Sequence, residues 1–132
     1  MFLEQSDVPA ITVDVKQNRV RIYRHTLSML EDPKYIQLLY NSDEGIIGIQ
    51  GFEEKPKHQW HKVRYEKVTS QTPYAVHSKY LINVLKQSLP VNDQNAIVRI
   101  SGMLHAKQKL TLFRLSDAKI IHENDMEDAN GT

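Results

Sequence analysis

The chain contains no cysteine. That removes disulfides, thiolate metal sites and a cysteine nucleophile together, and it fits a reducing compartment. No stretch approaches the roughly 18 consecutive apolar residues of a membrane-spanning helix. The opening segment, residues 1–7, carries acids where a secretory leader carries bases, and no apolar run follows it. The protein is therefore expected to be soluble and cytoplasmic. Glycines number five and are scattered (Gly45, Gly48, Gly51, Gly102, Gly131), so no loop has the close glycine spacing with which backbone amides converge on a phosphate. Gly-x-Ser-x-Gly and His-Glu-x-x-His are missing too, and no enzyme activity is expected.

What is present suits a folded domain. The 132 residues are 40% apolar and 25% charged, and the net charge is +1. That charge is unevenly spread. From Glu123 onward the chain has four acids (Glu123, Asp125, Glu127, Asp128) and no Lys or Arg, leaving 17 basic against 12 acidic residues over residues 1–122, about +5. We expect one α+β domain over 1–122 and an acidic disordered tail over 123–132, either a solubilising end or a competitor for a basic surface.

Ile11, Val13 and Val15 alternate with Thr12 and Asp14, the period of a half-buried strand. Lys16 to Asn18 can turn the chain, and Val20 and Ile22 resume the alternation, so residues 11–23 read as a hairpin. Thr26 to Glu31 is a short helical turn closed by Asp32-Pro33. Tyr35 to Tyr40 and Ile46 to Ile49 flank five turn-forming residues, a second hairpin, and residues 51–61 read as a linker. A weak strand is predicted over 63–67 and another over 73–77. Ser78 is a good N-cap for a helix whose Leu81, Ile82, Leu85 and Leu89 share one face, with Pro90 as its stop. Residues 96–100 and 110–115 are predicted to pair as a hairpin, and Ile120-Ile121 to add an edge strand. The order strand, strand, helix, hairpin thus recurs, over about 11–50 and 63–115.

Two basic groups stand out. Lys55 to Lys67 interleaves Lys57, Lys62 and Arg64 with Trp60 and Tyr65, a pattern in which cations meet phosphates and aromatic faces stack on bases. A solvated loop with Trp60 folded onto the core explains the same residues. Lys16, Arg19, Arg21 and Arg24 surround the first hairpin. Period two places Arg19 and Arg21 on one strand face, suited to phosphate contact or simply to solubility. His58 and His61 are three apart, but Pro56 argues against a helix and no fourth ligand is near, so no metal and no cofactor are expected.

Asn18-Arg19-Val20-Arg21-Ile22, a short helix ending at Leu30, Tyr35 to Tyr40, a turn and Ile46-Ile47-Gly48-Ile49 resemble the AbrB/MraZ swapped-hairpin unit. The resemblance implies β-hairpins interleaved between two copies, here tandem halves, and DNA binding in transcription regulation. It makes Arg19 a DNA-contacting residue. Asn18 stands where the family has a turn glycine, Tyr23 where it has proline, and Leu27-Ser28 where helix arginines are common. The expected architecture is two β-hairpin-plus-short-helix units sharing one core, a swapped-hairpin-like β-barrel. The expected function is DNA binding through Arg19, Arg21, Arg24, Lys16, Lys57, Trp60, Lys62 and Arg64. The partner is DNA and a second copy of the chain in a homodimer, with no membrane; the alternative is a protein-interaction or oligomerising module.

Overall fold

The computed structural model describes residues 8–121. The tail expected over 123–132 lies outside the described residues. The protein is α+β, built on two five-stranded antiparallel sheets with few helices.

The first hairpin forms as its alternation requires. Strand β1 (Ala10–Asp14) pairs with β2 (Arg19–Ile22), with Val13 opposite Val20. Asn18 takes the left-handed conformation (φ 54°) at the turn, and the Asp14 carboxylate accepts from the Gln17 amide at 3.0 Å, which ties the turn to the strand end. Helix α1 (Arg24–Met29) begins two residues earlier than expected. The Thr26 hydroxyl donates to the Ala10 carbonyl at 2.8 Å and accepts from the Ala10 amide at 2.9 Å, fixing α1 against β1. The helix ends through Glu31 and Asp32, both left-handed, before Pro33.

Strands β3 (Tyr35–Asn41) and β4 (Ile46–Phe52) form the second hairpin, whose turn is closed by Asn41 Oδ1 accepting from the amides of Asp43 and Glu44. The ladder runs on to Tyr35 opposite Phe52, so the predicted linker starts after Phe52 rather than at Gly51. The strand predicted over 63–67 is displaced: β5 is His61–Lys62, and Tyr65–Lys67 is a single 3₁₀ turn. Strand β6 (Tyr74–His77) leads into α2 (Lys79–Leu85), whose Leu81 amide donates to Ser78 Oγ at 3.0 Å. A 3₁₀ turn over Lys86–Ser88 separates α2 from Pro90.

The remaining strands are β7 (Ile97–Ser101), β8 (Met103–His105), β9 (Leu110–Arg114) and β10 (Lys119–Ile120). One sheet has the order β10-β7-β1-β2-β6, the other β5-β3-β4-β9-β8. The predicted pairing of 96–100 with 110–115 is therefore wrong. β7 pairs with β1 and β10, whereas β9 pairs with β4 and β8. Gly102 separates them at a crossing so close that a Cβ would stand 2.2 Å from the Leu112 carbonyl oxygen.

The expected barrel is not closed. Among the described strands each sheet keeps two free edges, β10 and β6 in one, β5 and β8 in the other. Exchanging β1 with β5, β2 with β6, β3 with β7 and β4 with β9 turns the β1–β7 pairing into β5–β3 and leaves β2–β6 and β4–β9 unchanged. The β1–β2 and β3–β4 hairpins have no counterpart, since β5 does not pair with β6 nor β7 with β9. One apolar cluster joins both sheets and both helices: Ile11, Val13, Val20, Ile22, Val98 and Ile100 from one sheet, Ile36, Ile47, Ile49 and Phe113 from the other, with Leu27, Leu30, Ile82 and Leu85. No helix among the described residues is long and apolar enough to cross a membrane.

Candidate nucleic-acid interface

With Ile11 and Val13 turned into the core, Thr12 and Asp14 point to the opposite face of the first sheet. There the register sets Lys119, Arg99, Thr12, Arg21 and Ala75 in one row across five strands. The adjacent row is Ile97, Asp14, Arg19 and His77. Neighbouring strands are about 4.8 Å apart, so Lys119 and Arg21 stand roughly 14 Å from each other along the first row. Three guanidiniums and an ammonium thus share these two rows with one carboxylate, Asp14, while Asp117 lies at the rim beside Arg99 and Lys119.

Each cation is held differently. Arg19 Nε donates to Asp14 Oδ2 at 3.1 Å; the Asp14 side chain is 1% exposed and that of Arg19 23%. The Arg99 guanidinium lies 5.1 Å from the centre of the Tyr23 ring, and the Tyr23 and Thr12 hydroxyls share a hydrogen bond. Thr12 and Asp14 are fully buried although they lie on the outer face, because the longer side chains on either side close over them. Among the described residues no ion pair reaches Arg21. Burial pushes its guanidinium below the ordinary value and Arg19 repels it further, against the opposing pull of Tyr23 and Asp14. An anion settling over Arg21 would offset the repulsion from Arg19 and favour the charged guanidinium.

The other candidates lie elsewhere. Lys16 is exposed in the β1–β2 turn. Arg24 is on α1, not on the strand: its guanidinium reaches Asp32 Oδ1 at 2.6 Å and Ser28 Oγ at 2.7 Å, and lies 5.0 Å from the Tyr65 ring centre. These contacts brace the end of α1 and do not bring Arg24 into the row. The segment from Lys55 to Lys67 belongs to the second sheet and divides there. Lys57 is exposed in the loop after β4, Lys62 is on edge strand β5, and Arg64 is exposed beyond it. Trp60, 38% exposed, is neither buried in the core nor bare: its ring meets Tyr35 edge-on at 5.5 Å and carries Lys55 Nζ at 5.2 Å. His58 is pinned through its carbonyl by Gln37, and burial lowers the His61 pKa. Among the described residues no three His, Asp or Glu side chains gather where they could hold a metal ion.

Arg99, Lys119 and Tyr23 were not foreseen. Outward placement of Arg99 is readable from its alternation with Val98 and Ile100, but its neighbours depend on the β1–β7 pairing, for which the sequence carries no local signal. Comparison of the chain with protein-family models, with curated proteins and with solved structures finds no match.

Proposed function

We propose that the chain is a non-enzymatic nucleic-acid-binding protein, with duplex DNA in a regulatory role as its first candidate ligand, and that the outer face of the first sheet is its binding surface. The observation that carries this is the row in which Arg21 and Arg99 flank Thr12 while the Asp14 carboxylate in the adjacent row is buried and paired with Arg19. Lys16 lies at the end of the same hairpin, and the Lys57–Arg64 stretch with Trp60 is a second, separate place for backbone contact. The likeness to swapped-hairpin proteins is part of the same proposal; three of the strand pairings survive an exchange of the halves, which supports it, while the two hairpins β1–β2 and β3–β4 do not.

Fluorescence anisotropy with a labelled duplex tests it. Four phosphate contacts, from Arg19, Arg21, Arg99 and Lys119, give a log-log salt slope of about −3.6, at about −0.9 per contact. Arg21→Ala and Arg99→Ala should each weaken binding and flatten that slope by about one unit. No binding at about 50 mM salt, or binding indifferent to both substitutions, would refute the assignment.

A specific observation favours the alternative, a protein-interaction or oligomerising module. On the outer face of the second sheet Leu39, Gly48, Leu112 and Met103 form one row, with Leu39 41% and Met103 64% exposed. Sedimentation of the wild type and of Met103→Lys checks that reading: self-association abolished by the lysine supports it, and a monomer in both cases removes it.

A further inference from the structure

The outer face of the second sheet is apolar at its centre and charged at its border. Its middle row, Leu39, Gly48, Leu112 and Met103, runs across four strands. Gly48 has no side chain, and the ends of Leu112 and Leu110 lie over it, 3.1 and 3.4 Å from where a Cβ would stand, so the middle of the face is level and hydrophobic. Ile46 extends this surface toward the β3–β4 turn. There Glu44 borders it on the Leu39 side, lining a hollow with Leu39, Ile46 and Leu112. Arg114 borders it on the Met103 side, in a hollow with Ile46, Leu112 and Met103 that Asp117 also lines. We propose that this face packs against the same face of a second copy, related by a twofold axis along the strands, and that the dimer so formed bridges two nucleic-acid duplexes.

The dimer deepens the oligomerising reading given above and rests on it; the bridging rests in addition on the basic face of the first sheet. Charge selects the partner and the axis. A twofold along the strands reverses their order across the interface, so Leu39 of one copy meets Met103 of the other. The same rotation carries Glu44, in the β3–β4 turn, over to Arg114 on β9, twice by symmetry. A twofold across the strands sets Leu39 on Leu39 instead and carries Glu44 and Arg114 away from each other. Among the described residues no ion pair holds Glu44, Arg114 or Asp117, so the two charges are open to a partner. Asp117 stands near the same guanidinium and weakens the attraction. Size sets the strength. Four strands about 4.8 Å apart and three rows about 6.8 Å apart make, with their bordering side chains, a footprint of roughly 400–500 Å² per copy. Roughly 800–1,000 Å² buried in all is the size of a weak, reversible association, with a dissociation constant on the order of 100 µM. The two sheets of a protomer share one core, so its basic face lies on the side away from this interface. The dimer therefore carries its two basic faces outward, where one straight duplex cannot reach both.

Analytical ultracentrifugation over about 5–500 µM, a range that brackets that constant, tests the dimer with Glu44→Arg and Arg114→Glu. Both residues are exposed, so each variant should fold as the wild type does. The wild type should associate. Each variant alone sets like charges against each other at both contacts and should associate about tenfold more weakly at low salt. An equimolar mixture should regain the wild-type strength, because a copy with two bases then faces a copy with two acids. Such rescue acts between chains and cannot come from a repaired fold. Asp117→Asn should tighten the dimer by about twofold. Bridging is read by fluorescence transfer between two duplexes carrying different dyes. Transfer should rise through the dimerisation range, fall in both single reversals, which change the net charge in opposite directions, and return in their mixture. A monomer at every concentration, or a dimer indifferent to the reversals and to mixing, overturns the interface. Dimers that bind duplex without transfer overturn the bridging. Failure of the wild type and all variants to bind DNA refutes the basic face, while sedimentation still decides the interface.

Discussion

Asp14→Asn should destabilise the fold and strengthen anion binding at once. The carboxylate is fully buried and makes two contacts, with Arg19 Nε at 3.1 Å and with the Gln17 amide at 3.0 Å. An asparagine oxygen can keep the Gln17 bond, but its NH₂ group then faces the guanidinium, donor against donor. A charge-assisted hydrogen bond contributes about 1.5–3 kcal/mol. Arg19 is 23% exposed, so part of its charge is recovered by water and the expected loss is nearer 1–2 kcal/mol. For a domain of this size that is a fall in melting midpoint of about 4–8 °C. On the binding side, the substitution removes the carboxylate that lies in the two rows with the three arginines. Its repulsion of a phosphate roughly 7 Å away is about 0.6 kcal/mol in water and more near a protein surface, so affinity for duplex DNA should rise about three- to tenfold at low salt. Thermal melting and anisotropy on the same preparation measure both. Because partial unfolding would lower affinity, opposite signs are a stringent outcome. Unchanged melting would show that Asp14 does not anchor the face. Affinity falling in step with stability would show that Arg19 placement outweighs charge balance, and the electrostatic reasoning would fail.

Gly102→Ala should cost about 3 kcal/mol or more, since its Cβ would meet the Leu112 carbonyl oxygen at 2.2 Å and the Phe113 ring at 2.5 Å, neither free to move. Gly48→Ala should cost less than about 1 kcal/mol, because its Cβ meets the ends of two flexible side chains, Leu112 at 3.1 Å and Leu110 at 3.4 Å, with the Thr111 carbonyl oxygen at an ordinary 3.6 Å; chemical denaturation ranks the two, and equal losses would refute the steric account. Burial raises the Tyr65 pKa above 10.0, with Asp32 adding to the rise and Arg24 opposing it, and its hydroxyl donates to the Pro33 carbonyl at 2.6 Å. A folded-state value above the unfolded one means that this stabilisation is complete below about pH 10 and is lost as pH climbs beyond it. Tyr65→Phe should therefore be less stable at neutral pH by about 1 kcal/mol and show a shallower alkaline decline, and superimposable alkaline limbs would contradict this. Ser78→Ala should cost about 1 kcal/mol by freeing the Leu81 amide at the start of α2, a loss read by denaturation and absent if water caps the helix equally well.

Local signals carried the fold as far as local chemistry reaches. The β1–β2 and β3–β4 hairpins and the Ser78 cap could be read because each depends on residues a few positions apart: alternating Val and Ile, a left-handed Asn18, an Asn41 side chain folding back on its own turn. The start of α1 could not, since Tyr23 precedes it without a side-chain cap, and Thr26, where the helical turn is expected to begin, bonds to β1 from inside the helix. Nor could the parting of β7 from β9. Two amphipathic strands around a turn read as a hairpin whatever lies between them, and here the chain leaves one sheet for the other at Gly102, between β7 and β8, before β9 begins.

The same distinction governs the candidate site. Sequence reading favours cations that are close along the chain, and Lys55 to Lys67 holds five of them interleaved with aromatic rings. Yet a loop, a two-residue edge strand and a 3₁₀ turn spread those side chains in different directions, and Lys55 spends its charge on the Trp60 face. Arg21 and Arg99 are far apart in sequence, but each pairs across from Thr12 on the central strand β1. Density along a chain measures only how much charge a segment brings. A sheet concentrates charge by register, because every strand it adds places one more side chain within about 5 Å of the last. A short residue such as Thr12 between two long ones lets both arginines lean over it instead of being pushed apart. What gathers cations on this face is therefore the order of strands β10, β7, β1 and β2, a property of long-range pairing that no window of the sequence contains.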